Sequence, residues 1–271
     1  MPRRDFLMIS ERIEKGYPII KELAAKSWSL GIGDIYFNNF VFAVAHHGSR
    51  KRPEEIPLDP EDRIKAGIPD FYAGISIFAP NDELLELHEK VIKQVVVKGG
   101  AQLVPWEDVL SSMPLDERGE LPTFTNLPTQ TIAFTFSSKG GGAISWVGAF
   151  LSSKDVVAFY HVCNKVLKKY NKHNLFYGRI LSHGHHTYAR AIVVSNKNDE
   201  KDLELMRTMF SELDEEIRKN IKSAARYHLS PWASRSNLTR LHGTTLAFLK
   251  KIKAFLDPND VMNPGHFLDT T

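Results

Sequence analysis

The chain has 271 residues, 42% hydrophobic and 25% charged, a composition that can build the hydrophobic core of a globular protein. The net charge is only +3 and the basic residues are scattered and mixed with acidic ones, which argues against nucleic acid as a partner. No apolar run is long enough to span a membrane and no signal peptide is recognised, so we expect a cytoplasmic protein.

The first part of the chain alternates strand and helix patterns. Runs rich in β-branched and aromatic residues predict strands, and apolar residues at helical spacing predict helices. The order is strand, helix, strand, strand, helix, strand, which is that of a split β-α-β unit. A loop over 48–69 has four prolines and room for a helical turn. The strands are predicted at 4–10, 34–47, 70–79 and 101–106. The helices are predicted at 11–29 and from a cap at Asn81 or Asp82 to Gly99.

After an irregular region over 107–142, the same order of elements recurs without sequence identity. Two such units predict an α+β fold: a large antiparallel sheet from two split β-α-β (ferredoxin-like) units, with helices on one face and a C-terminal helical tail. The single cysteine, Cys163, excludes an internal disulfide and is expected in the core. The predicted strands are 143–150, 174–182 and 185–195, the helices are 156–170, 198–221 and 238–256, and a bend is expected near Gly184.

Three histidines, His183, His185 and His186, stand close together where a strand is predicted. They could bind a metal, line an active site, or belong to the two faces of a sheet. In a regular strand, His183 and His185 would share one face and His186 would lie on the other. A metal site is the least favoured, because a zinc site usually takes three or four protein ligands and no HExxH motif or second cysteine is present.

The most specific motif lies at the end of the chain, 249-LKKIKAFLDPNDVMNPGHF-267. A helix that runs into a DPN-x-x-x-NPG turn resembles the C-terminus of FAD-linked oxidases of the vanillyl-alcohol oxidase and 4-cresol dehydrogenase family. The segments 143-AISWVGAF-150, 185-HH-186 and 226-RYHL-229 occur in the same order as similar landmarks of that family. The resemblance therefore spans nearly the whole chain.

The resemblance implies a domain organisation. Residues 1–222 would form the cap, or substrate, domain, and residues 223–271 would form a C-terminal segment that packs on the FAD and on a partner FAD-binding subunit. No glycine-rich phosphate loop follows a strand here, since 139-KGGG-142 precedes one. We therefore expect a heteromer in which a separate FAD-binding-domain subunit completes the enzyme.

The implied activity is oxidation of an alcohol, an alkylphenol-like compound or another hydroxy substrate by hydride transfer to FAD. The final electron acceptor is not identified by the sequence. Two other functions remain open: a non-catalytic, cap-like module that binds a ligand or a protein, and a metal-dependent hydrolase that uses the histidines.

Three catalytic residues follow from the resemblance. Arg226 matches an arginine that stabilises the negative charge of the substrate, although a surface salt bridge would also explain an arginine there. Either His185 or His186 is expected to line the active site and to assist the proton, while the other belongs to the core or hydrogen-bonds near the flavin.

The predicted FAD contacts are made by Ile144, Trp146, Arg226, Asn263 and His266. Three positions depart from the family pattern. Ala225 replaces a phenol-binding tyrosine, which casts doubt on a para-substituted phenol as substrate. Ile144 matches the histidine that binds FAD covalently in some relatives, so we expect non-covalent FAD. His266 stands where a basic residue is usual.

Overall fold

The computed structural model describes residues 1–39, 57–112, 142–226 and 243–262. Within these ranges eight strands form one sheet, and every pair of neighbouring strands is antiparallel. The strands are β1 (Arg3–Ser10), β2 (Ile32–Asn38), β3 (Phe71–Phe78), β4 (Gln102–Pro105), β5 (Gly142–Ser152), β6 (Tyr177–Leu181), β7 (His186–Asn196) and β8 (Ala225–Arg226).

The described ranges also contain seven α-helices. Side-chain caps explain where some of them begin: the side chain of Asn81, one of the two caps that the sequence allows, accepts a hydrogen bond from the Leu84 N–H at 2.9 Å. None of these helices is long and apolar enough to cross a membrane. The helices are α1 (Ile13–Ala25), α2 (Pro60–Lys65), α3 (Asp82–Lys98), α4 (Trp106–Ser112), α5 (Val156–Lys169), α6 (Glu200–Asn220) and α7 (Gly243–Leu256).

The strand order, β4-β1-β3-β2-β6-β7-β5-β8, confirms the predicted fold class. The first four strands and the last four each have the order of a split β-α-β unit, with the fourth strand beside the first. The two units join through their equivalent strands β2 and β6, where Tyr36 lies opposite Arg179. The sheet is therefore continuous across the junction of the two units.

The main hydrophobic core lies between the sheet and helices α1, α3, α5 and α6. Phe176 is at its centre, with ring centroids 5.2 Å from Phe37 and 4.9 Å from Tyr160. Cys163 is fully buried in this core, as predicted. A second, smaller cluster covers the other face of β1, β2 and β3, where Trp106 and Val109 of α4 pack on the sheet.

Some predicted boundaries are wrong. The region 107–142 does not begin irregularly, because α4 continues to Ser112 and is held to the sheet by the buried Trp106. Helix α1 ends at Ala25 rather than at residue 29. By contrast, the helical turn for which the proline-rich loop has room is present as α2, whose first turn is capped by Asp59. Because α2 and α4 are short and polar on one side, their formation depends more on tertiary contacts than on hydrophobic periodicity.

Candidate functional site

The face of the sheet opposite α1, α3, α5 and α6 is the candidate site. Because side chains alternate along a strand, every second residue of β5, β6 and β7 points to this face. Most of these side chains are half-buried, unlike the sealed core on the other face. We call the following six residues the open-face cluster: Trp146, Phe150, Tyr177, Arg179, Tyr188 and Arg190.

Two Tyr-x-Arg motifs build the centre of the cluster. The motif 177-YGR-179 lies on β6 and 188-YAR-190 lies on β7, and in the antiparallel register each tyrosine faces the arginine of the other motif. The Arg190 guanidinium carbon lies 4.6 Å from the Tyr188 ring centroid, 5.1 Å from that of Trp146 and 6.0 Å from that of Tyr177. Nε of Arg190 donates a hydrogen bond to the Tyr188 hydroxyl. Aromatic ring faces stabilise a cation in this arrangement.

The other arginine of the cluster is paired with a carboxylate. Arg179 Nη2 lies 3.6 Å from Oδ2 of Asp34 on β2. Burial raises the pKa of the Asp34 carboxyl, and the positive charge of Arg179 opposes that rise. Burial also raises the pKa of Tyr177, so this phenol stays protonated at neutral pH.

His186 is the first residue of β7 and lies opposite Ser152 and Leu181. Strand alternation places it on the same face as Tyr188 and Arg190, at the end of the row, where it is exposed. His185 precedes the strand and is also exposed, and its carbonyl accepts a hydrogen bond from the Ser153 N–H at 3.0 Å. Of the two, His186 is the one that the strand places on the open face.

His183 does not follow the predicted alternation. It lies in a 3-10 turn with a φ of 54°, before β7 begins, and Gly184 at a φ of 88° completes the bend that the sequence predicts. Both of its ring nitrogens have partners: Nδ1 is 3.1 Å from Ser27 Oγ, and Nε2 accepts a hydrogen bond from Trp28 Nε1 at 2.8 Å. The described ranges contain no group of side chains that could hold a metal ion.

The other predicted site residues are described only in part. Arg226 lies in β8 opposite Ala149, and Ile144 lies in β5 opposite Val194, but the side chains of both fall outside the described part of the structure. Asn263 and His266 lie outside the described residues altogether. Trp146 belongs to the open-face cluster. The structure thus brings Trp146 and His186 to one face.

The C-terminal motif forms a compact turn up to the last described residue. The carboxylate of Asp257 accepts hydrogen bonds from the N–H groups of Val261 and Met262, both at 2.8 Å. Nζ of Lys253 pairs with the same carboxylate and with Asp260, 2.8 Å away. Helix α7 before this turn exposes large apolar side chains: Phe248, Leu249, Ile252, Phe255 and Leu256.

Sequence reasoning missed Arg190, Arg179 and their tyrosine neighbours. A signal was present, because the two Tyr-x-Arg motifs are equally far from the bend near Gly184. A hairpin centred on that bend places each tyrosine opposite an arginine. The site predicted from the sequence used the histidines between the two motifs instead.

Comparison with known proteins places this geometry in a known fold. No protein-family model and no curated protein matches the sequence. Among solved structures, a p-cresol methylhydroxylase with substrate bound matches 99% of this chain and 53% of its own, at a TM-score of 0.79 and 16% identity. A 4-ethylphenol oxidase from Gulosibacter chungangensis, in complex with isoeugenol, matches 98% of this chain and 53% of its own, at a TM-score of 0.76 and 17% identity.

A VAO-type flavoprotein from Myceliophthora thermophila also matches, over 95% of this chain and 45% of its own, at a TM-score of 0.50 and 9% identity. The chain therefore spans about half the length of each of these proteins. The resemblance predicted from the sequence is confirmed as a likeness in fold that extends over the whole chain.

Proposed function

We propose that this chain, which has the fold of about half of a VAO-type flavoprotein, forms the substrate side of a flavin-dependent oxidoreductase. The observation that carries the proposal is the match of 99% of the chain to a p-cresol methylhydroxylase. The substrate would be an alcohol, an alkylphenol-like compound or another hydroxy compound, and the open-face cluster would form one side of the substrate site.

The open face fits a flavin in its chemistry. An isoalloxazine ring is planar, and the cluster offers half-buried aromatic rings against which a planar ring can pack. When bound, FAD supplies the redox chemistry by accepting a hydride from the substrate. Trp146, Ile144, Arg226, Asn263 and His266 are the residues that we propose hold it. Isoleucine at 144 has no nucleophilic atom, so we propose non-covalent FAD.

The residues of this chain would stabilise negative charge on the substrate and transfer its proton. Arg226 stays positively charged at all relevant pH values and would stabilise negative charge on the substrate. His186, on the open face, is the better placed of the histidine pair to accept or donate a substrate proton, and the exposed His185 would hydrogen-bond near the flavin. Hydrogen-bonding groups that are already in position stabilise a developing charge without reorganising.

An FAD-binding domain must complete such a site, and we propose that a partner subunit supplies it. The exposed apolar stripe of α7 supports this arrangement: Phe248 is 62% exposed and Phe255 is 84% exposed on the same side of the helix. Apolar side chains aligned in this way are typical of a surface that packs on another domain. The segment 223–271 would then pack on the FAD-binding domain.

The test of the proposal is purification of the protein from its native source, followed by an absorbance spectrum. We expect a yellow protein that releases FAD on denaturation, together with an FAD-binding domain. Mass spectrometry of the intact polypeptides then shows whether that domain belongs to this chain or to a partner. A colourless protein without flavin would overturn the proposal and favour a cap-like binding module.

The role of Arg226 is tested by turnover of the holoenzyme. Arg226→Ala should lower kcat/KM strongly, because a fixed positive charge beside the substrate stabilises the transition state. Arg207→Ala is the matched control, since Arg207 lies on α6 in an exposed pair with Glu204 and should leave turnover unchanged. If both variants turn over at the wild-type rate, Arg226 does not act on the substrate.

A further inference from the structure

Among the charged sheet residues whose side chains the structure describes, Arg190 has ring partners but no carboxylate partner within the described ranges. Its guanidinium lies over the rings of Trp146 and Tyr188, with Tyr177 slightly farther away. No ion pair within the described ranges includes Arg190, whereas Arg179 on the neighbouring strand is paired with Asp34. A half-buried charge without a counter-ion is unfavourable, so its position favours a ligand that brings the opposite charge.

The contacts of Arg190 leave the terminal nitrogens of its guanidinium for that ligand. Its Nε is engaged by the Tyr188 hydroxyl. The two terminal nitrogens have no hydrogen-bond partner among the residues that the structure describes, and their parallel N–H groups match the two oxygens of a carboxylate. Gly148 makes room for this arrangement, since a Cβ there would come within 3.2 Å of Arg190 Cγ and 3.4 Å of the Tyr188 hydroxyl.

The surroundings of Arg190 suit a flat, unsaturated ligand. The Phe150 and Tyr188 ring centroids are 5.1 Å apart and their planes are inclined by 38°. Half-buried rings of this kind stack on a planar ligand. In the same row, β8 places Ala225 opposite Phe150. The cluster thus provides a cation for an oxyanion beside rings on which a conjugated carbon frame can lie.

We propose that Arg190 binds the carboxylate of an aromatic substrate at the open-face cluster, with Tyr188 as the positioning residue for its guanidinium. This inference rests on the proposed function, because it names the substrate class of the same site. The substrate would carry its carboxylate on an aromatic or conjugated carbon frame that lies against Trp146 and Tyr188.

The test is calorimetric titration of the FAD-loaded protein with cinnamate and with cinnamamide, its neutral isostere. Wild-type protein should bind cinnamate more tightly than cinnamamide. Arg190→Met should weaken cinnamate binding by about 10- to 100-fold, as expected for loss of a charge-assisted contact, and should leave cinnamamide binding unchanged. Tyr188→Phe keeps the ring and removes the hydroxyl, so it should give a smaller loss for cinnamate alone.

Two controls make the result decisive. Arg12→Met removes an arginine outside the cluster that pairs with Glu61 at the surface, and this variant should bind both probes as the wild type does. The FAD content of Arg190→Met should equal that of the wild type. Loss of FAD from this variant would overturn the proposal by assigning Arg190 to the cofactor.

Other results would also refute the carboxylate subsite. Equal affinity for cinnamate and cinnamamide in the wild type, or unchanged cinnamate binding in both Arg190→Met and Tyr188→Phe, would show that no carboxylate is bound there. Binding of p-cresol that depends on Arg190 more than cinnamate binding does would assign the guanidinium to a phenolate. A protein that lacks flavin but binds cinnamate through Arg190 would refute the proposed function and leave the subsite standing.

Discussion

Replacing Arg63 by methionine is expected to destabilise the protein by about 3 kcal/mol, the lower end for removing one partner of a buried ion pair. Nη2 of Arg63 donates to Oδ1 of Asp70 at 2.5 Å, and the Tyr160 hydroxyl donates to the same oxygen at 2.5 Å. The side chains of Arg63 and Asp70 are only 16% and 4% exposed. Methionine keeps much of the apolar stem but leaves the Asp70 carboxylate buried without its counter-ion.

Urea unfolding followed by tryptophan fluorescence measures this effect. With a slope of about 2–3 kcal/mol per M, the midpoint should fall by about 1–1.5 M. Arg12→Met is the matched control, because Arg12 contacts Glu61 of the same helix α2 in an exposed, solvent-screened pair. This control should unfold close to the wild type. Equal midpoints for the two variants would refute the reasoning.

The pH dependence gives a second check on the same variant. Burial raises the pKa of Asp70, and the positive charge of Arg63 opposes that rise, so Arg63→Met should raise this pKa further. A carboxyl whose folded-state pKa is raised favours folding below its unfolded pKa, and this advantage disappears as the pH rises through the folded value. The penalty of the variant should therefore be largest above the raised folded-state pKa values of Asp70 and shrink as the pH falls through them, before the ordinary range of aspartate is reached. A penalty that grows on acidification would contradict this account.

Three further predictions concern the scaffold. Gly178→Ala places a Cβ 2.3 Å from Phe37 Cζ and should cost about 1–3 kcal/mol in urea unfolding, whereas Gly148→Ala, with its nearest contact at 3.2 Å, should cost less. Asn81→Ala removes the α3 cap and should cost about 1 kcal/mol, while Asn81→Asp should retain wild-type stability. Cys163 should resist aromatic disulfide reagents in the native protein, because it is fully buried and burial raises its thiol pKa; rapid labelling without denaturant would show that this core opens.

The order of elements could be predicted because hydrophobic periodicity is a local property. Strand and helix patterns in both halves identified two split β-α-β units, and the sheet order follows from that topology. The periodicity did not reveal α4, since a seven-residue helix has too few turns for a pattern and depends on Trp106 packing against the sheet.

The candidate site was harder to predict, because strand alternation applies only where a strand is regular. The interpretation of His183 and His185 as a same-face pair failed at a single turn, where the φ of 54° at His183 ends the alternation. His186, the first residue of β7, follows the alternation and shares a face with Arg190. The roles of Arg226, Asn263 and His266 stay predictions.

The sequence by itself determined the fold class and the likeness to VAO-type flavoproteins, because periodicity, turn motifs and the order of landmarks are all written along the chain. Only the tertiary structure decided which side chains meet. The pairing of β6 with β7 brings the Tyr-x-Arg motifs face to face, and the pairing of β5 with β7 adds Trp146. Contacts of this kind depend on register between strands, which a one-dimensional pattern does not encode. The charge of Arg190 therefore became notable only when its described neighbours were known to be aromatic rings.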